Sequence, residues 1–197
     1  RDGHSATASV EVRDTYTQTD FTLQVILEQQ EDGHWQAAYI RNYREYLDTI
    51  EPLQNKDITA YLDATKSVVD SYNKKFQQQQ QKFKSLTATA QGRLSADQKT
   101  AIDTFLTNEV IPTLTERQDK LDTIDIPNGA SYVAQLRNRS TELTIAAWQH
   151  FAAGIADDSQ NELEIAESIH KEELDVDRRI EDIIKHTAIN NNTPSIP

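Results

Sequence analysis

Apolar residues recur at helical spacing along most of the chain, and most regularly between Asp57 and Thr89. Within that stretch they are separated by three, four or seven residues, so they fall on one face of an α-helix. These positions are Ile58, Leu62, Thr65, Val69, Tyr72, Phe76, Phe83 and Leu86. The pattern predicts a long amphipathic helix over residues 55–90.

Two more helices of similar length are predicted after it. Ser95 and Gln98 match a capping box, which satisfies free backbone N–H groups at a helix start. Pro112, in the helix that follows, predicts a kink or a local break. The sequence Ile126-Pro127-Asn128-Gly129 is typical of a turn, and a further apolar stripe after it predicts the next helix.

The first fifty residues fit two different structures. Phe21, Leu23, Val25 and Leu27 alternate with polar residues as in a strand, which predicts a β-hairpin over residues 21–39. The same segment also shows helical steps between its aromatic residues. The helical alternative is favoured, because a two-stranded hairpin is marginally stable without a sheet to join.

The predicted fold class is therefore all-α. It is an elongated up-down four-helix bundle with an additional acidic C-terminal helix, and a short β-hairpin near residues 21–39 is the alternative for that segment. The four bundle spans are 17–50, 55–90, 95–125 and 130–156. The predicted organisation is a flexible or irregular segment over 1–16, a helical bundle over 17–156, an acidic helix over 157–187 packed on or extending from the bundle, and a disordered tail over 188–197.

Charge is unevenly distributed along the chain. The 197 residues include 20 Lys and Arg against 32 Asp and Glu, a net charge of −12, which argues against nucleic acid as a partner. Residues 157–182 hold eleven acidic and three basic residues, whereas residues 73–93 hold five basic residues and no acidic one. Either the acidic helix packs beside the basic stretch, or each charged face meets a different partner, or both faces are simply solvated.

The composition also restricts the chemistry and the location. Because the chain has no Cys, disulfide scaffolds, thiolate metal sites and Cys nucleophiles are excluded. No stretch has the length and apolarity of a membrane span, and no cleavable signal is visible. The absence of Cys and Met, with many Thr, Gln, Asn and Asp residues, predicts a bacterial extracytoplasmic protein, secreted or anchored at the cell surface, with a lipid anchor upstream of Arg1 left open.

Several residues are candidates for binding. Trp35, Tyr39, Arg41 and Tyr43 are types that bind sugars or peptides by stacking and hydrogen bonding, although their spacing also suits a bundle core. The candidate basic binding residues are Lys74, Lys75, Lys82 and Lys84.

A metal site is a weaker candidate. Glu167-x-x-His170 and Glu31-x-x-His34 match the paired ligands of di-iron helical bundles. The additional carboxylates that such a site needs have no clear positions, so no metal or other cofactor is predicted, and Glu167 with His170 is kept only as a candidate pair. No catalytic residue is predicted, since no nucleophile motif, phosphate loop or zinc-protease motif is present.

The segment Leu121-Asp122-Thr123-Ile124-Asp125-Ile126-Pro127, followed by Tyr132, Leu136 and Leu143, resembles secreted or lipid-anchored helical-bundle proteins of Gram-positive bacteria, many described as lipoproteins. In those proteins a Leu-x-x-Ile-x-x-Pro-like turn joins two bundle helices. The resemblance covers residues 55–156 and implies an extracytoplasmic, non-enzymatic protein of unassigned role.

Together these observations favour a non-catalytic extracytoplasmic helical-bundle protein that binds another protein or a cell-envelope component. A ligand-binding, sensor-type bundle domain is the first alternative. A ferritin-like metal-binding protein is the second.

Overall fold

The computed structural model describes residues 4–88 and 94–192. The described residues are mostly helical, at 72%, and they include a small three-stranded antiparallel sheet. The elements are β1 (Ser5–Arg13), β2 (Asp20–Gln29), β3 (Trp35–Ile40), α1 (Tyr43–Thr87), α2 (Ala96–Phe105), a π-helical turn (Leu106–Val110), α3 (Ile111–Asp122), a 3₁₀ turn (Asn128–Ala130), α4 (Ser131–Ala156) and α5 (Gln160–Asn192).

The N-terminal sheet corrects the prediction of a helix over residues 17–50. The strands are ordered β1-β2-β3, with β1 and β3 each antiparallel to β2. The hairpin alternative for residues 21–39 is therefore the one observed, as β2 and β3. It is stabilised by a third strand, β1, in which Val10 and Val12 pair opposite Leu23 and Phe21. That strand lies within residues 1–16, so the prediction of an irregular segment there is also wrong.

α1 is one helix of 45 residues, about 67 Å long. The sequence predicted two helices separated near Pro52, but α1 continues through that residue, with Ile50 and Ile58 buried on either side of it. Pro52 removes one backbone N–H donor, and packing of the apolar face on both sides outweighs that loss. The predicted end of this helix, near residue 90, lies outside the described residues.

The helix after it is interrupted where Pro112 predicted a break. A π-helical turn over Leu106–Val110 separates α2 from α3, and Pro112 lies in the first turn of α3. A proline ring clashes with the carbonyl four residues earlier, and a widened turn relieves that clash. The Gln79 side-chain amide, at 3.0 Å, and the Thr113 hydroxyl, at 2.6 Å, donate to the carbonyl of Glu109 and so satisfy it. The capping box of Ser95 and Gln98 is confirmed at the start of α2.

The acidic helix α5 is one of the helices that form the bundle. Among the described elements, α4 and α5 make the most extensive contact, and α1 packs against both α5 and the α2–α3 helix. Pairs such as Arg139 with Glu172 and His150 with Glu162 show that α4 and α5 run antiparallel. α5 therefore takes the place that the sequence analysis assigned to residues 17–50, and the bundle spans residues 43–192 with the sheet outside it.

The end of the chain also differs from its prediction. α5 continues to Asn192, so residues 188–192 are helical rather than part of a disordered tail. Residues 193–197 lie outside the described part of the chain. None of the described helices has an apolar stretch of the length that a bilayer crossing requires.

The bundle core lies in three clusters along its length. One joins the α2–α3 helix to α4 around Ile102, Phe105 and Leu106. A second joins α1 to the start of α4, where Asp57 accepts a 3.0 Å hydrogen bond from the backbone N–H of Gly129 in the predicted turn. The third lies between α4 and α5. The core therefore spans the bundle without reaching the sheet.

Candidate functional site

The aromatic binding candidates lie on the sheet and at the start of α1, outside the bundle core. Trp35 and Tyr39 belong to β3 and Tyr43 is the first residue of α1. Their exposed fractions are 48%, 56% and 50%, so the alternative in which they form a bundle core is wrong. Arg41 lies between β3 and α1, where its backbone N–H donates to the carbonyl of Gln24 at 2.8 Å. We call these four residues the sheet surface. Trp35 pairs opposite Gln29 and Tyr39 opposite Ile26, so the register shift in β2–β3 places these two rings on opposite faces of the sheet.

The junction between the sheet and α1 fixes this surface in place. Asn42 links the two elements: its side-chain oxygen accepts from the backbone N–H of Gln24 at 2.8 Å, and its amide donates to the carbonyl of Thr22 at 2.9 Å. The Tyr46 ring packs edge-on against Phe21, with 5.5 Å between ring centroids. Neighbouring rings therefore hold the start of α1 against β2.

A hydrogen-bonded carboxylate directly after β1 anchors the same junction. Asp14 accepts from the Tyr46 hydroxyl at 2.8 Å and from the backbone N–H of Thr17 at 2.7 Å. Burial alone raises the pKa of Asp14, but these hydrogen bonds outweigh it and leave the pKa below its ordinary value. The same bond raises the pKa of the Tyr46 hydroxyl. The turn after β1 is thus tied to α1 by a charge-assisted hydrogen bond.

β1 presents a long edge with no described strand beside it. Its nine residues pair with β2 on one side, and every one of them is exposed or half-buried. The backbone N–H of Gln29 donates to the carbonyl of His4, so His4 and Gln29 are a hydrogen-bonded pair. Every second residue of β1 after His4 therefore bonds to β2. Because antiparallel pairing alternates, the N–H and C=O groups of Thr7 and Ser9 point away from β2. This edge could accept another strand along about 30 Å.

The basic stretch is partly used inside the bundle. Lys75 pairs with Glu116 at 3.1 Å, and Lys82 pairs with Glu109. Both partners belong to the π-helical turn and α3, so these two ion pairs do not join the basic stretch to the acidic helix as the first interpretation expected. The ammonium groups of Lys120, at 3.0 Å, and of Lys75, at 3.1 Å, lower the pKa of Glu116 to about 2.

The other two basic candidates differ from each other. Lys74 is exposed on α1. Lys84 borders a cavity of about 680 Å³ that also reaches Asp177 on α5. The four lysines therefore do not form a single binding face.

A groove opens between α1, α4 and α5 at the end of the bundle far from the sheet. It has a volume of about 510 Å³, and we call it the aromatic groove because Phe83, Trp148 and Phe151 line it. The centroids of these rings are 5.8 to 6.1 Å apart, in edge-on or tilted arrangements. Leu163 and Ala166 of α5 complete the apolar wall.

Polar groups of α5 lie at one side of the aromatic groove. The Glu173 side chain is only 13% exposed. One of its oxygens accepts a 2.6 Å hydrogen bond from the Thr144 hydroxyl, and the other lies 2.7 Å from His170 Nδ1. Glu167, which also lines the groove, pairs with Lys171 at 2.7 Å. The groove thus combines an apolar aromatic wall with carboxylates.

The candidate metal pairs are not brought together. Glu167 and His170 bind other partners at the groove, as described, while His34 lies in the β2–β3 turn, where its backbone N–H donates to the Asp32 side chain at 3.0 Å. Over residues 4–88 and 94–192, no three His, Asp or Glu side chains are grouped so that they could hold a metal ion.

The sequence did not indicate the aromatic groove. Phe83 was assigned to an apolar stripe and His170 to a metal pair, and nothing in the spacing showed that α1 and α5 would leave space between them. The density of acidic residues on α5 was the one signal that marked this helix as unusual.

Comparisons of the chain with protein-family models, with curated proteins and with solved structures found no match.

Proposed function

We propose that this is a non-catalytic extracytoplasmic protein that uses its N-terminal sheet to bind another protein, with the helical bundle as a rigid support. The bare edge of β1 is the observation that carries the proposal. An extended segment of a partner adds to such an edge through backbone hydrogen bonds, and neighbouring side chains then supply specificity. Trp35, Tyr39 and Tyr43 supply exposed aromatic area of the kind that is enriched at protein interfaces.

The charge of this region favours a basic partner segment. Residues 4–48 hold eight acidic and three basic residues. A basic extended segment is attracted to such a surface, and an acidic one is repelled. The partner that fits is therefore a protein with an exposed, extended stretch rich in Lys or Arg.

The location is proposed on composition and resemblance. The lack of Cys and Met and the likeness to secreted or lipid-anchored bundle proteins both support an extracytoplasmic protein, secreted or held at the surface by a lipid anchor. Digestion of intact cells with an external protease tests this part of the proposal. Degradation of the protein on intact cells supports it, and degradation only after lysis overturns it.

The edge-pairing proposal is tested by first identifying the partner and then blocking the edge. A photo-cross-linking residue at Thr7 captures the partner in an envelope fraction, and a synthetic peptide covering the cross-linked site is titrated against the purified chain. Ser9→Pro removes an N–H that points away from β2, so the edge is blocked while the ladder to β2 is kept. Ser9→Thr keeps the N–H and serves as the matched control.

We expect Ser9→Pro to weaken peptide binding at least about tenfold, because a backbone hydrogen bond and the strand contact around it are lost. Ser9→Thr should leave the affinity unchanged. Equal affinity of the two variants overturns edge pairing. Cross-linking to a glycan instead of a protein overturns the assignment of the partner class. Circular dichroism of both variants shows whether the sheet is retained.

The aromatic groove supports a second function, that of a ligand-binding bundle domain. Its volume falls within the range of about 300–1,000 Å³ typical of small-molecule sites, and such sites are often built between the helices of bundles. Saturable quenching of Trp148 fluorescence by a small apolar compound tests this function, and the absence of any saturable change overturns it.

A further inference from the structure

We propose that the aromatic groove binds a small amphipathic cation, an amine whose apolar part contacts Phe83, Trp148 and Phe151 and whose ammonium group lies beside Glu173. The inference rests on the second function above and is independent of the sheet surface. Three observations carry it: the aromatic wall, the largely buried carboxylate and the sign of the charge around them.

The aromatic wall suits both parts of such a ligand. Three rings from two helices line one cavity, and together with Leu163 and Ala166 they present a largely apolar surface. The face of an aromatic ring carries negative electrostatic potential, which attracts a cation, and the same ring buries an alkyl chain by apolar contact. An amphipathic amine therefore gains from burial of its chain and from the position of its charge.

The carboxylate of Glu173 retains capacity to accept a hydrogen bond. It has contacts with the Thr144 hydroxyl and with His170 Nδ1. An ionised carboxylate has about four acceptor positions, so two contacts leave room for an ammonium donor. Because the side chain is only 13% exposed, water shields it less than it shields a surface carboxylate. A charge-assisted hydrogen bond formed here is correspondingly strong.

The charge of the groove selects against anions. Its lining includes Glu167 and Glu173 and no described Lys or Arg; Lys84 and Arg117 line the adjoining cavity of about 680 Å³, which shares Trp148 and Glu173 with the groove. The surrounding helix adds further acidic residues, since residues 157–182 hold eleven acidic and three basic residues. This field attracts cations towards the opening and repels carboxylates.

The probes are three compounds of the same shape and different charge: 4-phenylbutylamine, 4-phenylbutanol and 4-phenylbutyrate. The chain has two Trp residues, so Trp35→Phe leaves Trp148 as the single Trp, inside the groove, and excitation at about 295 nm avoids the tyrosines. Each probe is titrated against this variant at neutral pH, and Trp148 fluorescence reports binding. Glu173→Gln keeps the shape of the side chain and removes its charge. Glu164→Gln, on the exposed side of the same helix, is the matched control for net charge.

We expect the amine to bind at least about tenfold more tightly than the alcohol, and the carboxylate to bind most weakly. Glu173→Gln should bring the amine and the alcohol to similar affinities, whereas Glu164→Gln should keep the preference. Saturable binding of all three probes with equal affinity overturns the cation assignment and leaves a ligand groove of another class. No saturable binding of any probe overturns both the cation assignment and the second function.

Discussion

At Gly154 helix α4 lies close against α5, and substitution of this glycine gives a sharp prediction. A Cβ placed on Gly154 would lie 2.7 Å from Cδ2 and 2.8 Å from Cγ of Leu163, and 3.1 Å from its backbone nitrogen. Side-chain contacts below 3.0 Å force a movement, and the backbone contact means that α5 itself has to shift. Gly154→Ala should therefore destabilise the bundle.

The magnitude follows from two opposing effects. Overpacking a filled interface costs about 1–3 kcal/mol. Replacing Gly by Ala within a helix gains about 0.5–1 kcal/mol, and this site is close to the end of α4, where the gain is at the lower limit. We expect a net loss of about 1 kcal/mol in the free energy of unfolding. Urea denaturation followed by circular dichroism at 222 nm, a wavelength that reports helix, measures it.

Measuring the same substitution in a Leu163→Ala variant separates the cost of overpacking from the gain in helix propensity. Leu163→Ala removes the two side-chain atoms that the new Cβ would strike and keeps the backbone nitrogen at 3.1 Å, so in that background Gly154→Ala should change stability by about zero, because helix propensity offsets the remaining contact. The decisive result is the predicted difference of about 1 kcal/mol between the two backgrounds. If Gly154→Ala changes stability by the same amount in both backgrounds, the close contact with Leu163 has no energetic effect and the reasoning fails. Ala153→Gly, one residue earlier, gives the propensity difference without the contact.

Two further predictions concern the sheet junction and the core. The folded-state pKa of Asp14 lies below its ordinary value of 3.8, so its contribution to stability is complete above that pH and is lost as the pH falls through the folded-state pKa. Tyr46→Phe removes one donor to Asp14 and should reduce the loss of thermal stability on acidification from about pH 6 to about pH 3; an unchanged pH dependence of Tm would contradict the role of this bond. In the core, the Arg137 guanidinium donates to the Thr65 hydroxyl at 2.8 Å and lies 5.2 Å from the centroid of the Tyr61 ring. Arg137→Met should lower the free energy of unfolding by about 1–3 kcal/mol, measured by urea denaturation, and an equal or higher stability would refute it.

Helical features were predicted correctly where the sequence signal lies within a few consecutive residues. The apolar stripe from Ile58 to Leu86 and the capping box at Ser95 depend on residues a few positions apart, and both are present in the structure. The turn at residues 126–129 is confirmed for the same reason, because its Pro-Asn-Gly sequence restricts the backbone directly.

The strand β1 was missed, and the hairpin over residues 21–39 was only the second choice, because the stability of a sheet is not local. Trp35, Tyr39 and Tyr43 have helical spacing by coincidence, while β2 depends on pairing with β1, whose own side chains are mostly exposed and give only a weak pattern. The role of α5 was underestimated for a related reason. Its charged residues dominate its composition, although small and apolar side chains such as Ala166 and Val176 bury one face against the bundle.

The groove could not be predicted because a cavity depends on the distance between packed helices and not on the types of residues that line it. Phe83 and Trp148 are ordinary core residue types, and the space beside them depends on how far α5 lies from the last turns of α1. Sequence patterns report the type and spacing of residues. They do not report the distance between two helices that are about 80 residues apart along the chain.

The length of α1 also decides how the two ends of the molecule can influence each other. Tyr43 at the sheet surface and Phe83 at the aromatic groove are 40 residues apart on one helix, which separates them by about 60 Å. Electrostatic influence between exposed charges decays over about 8 Å at physiological ionic strength, so a charged molecule bound at one end is screened from the other. Any coupling between the ends has to be mechanical, through rotation or bending of α1 against the buried Tyr61 and Tyr72. The two ends are therefore electrically independent, and a basic segment at the sheet and a cation in the groove can bind at the same time without repelling each other.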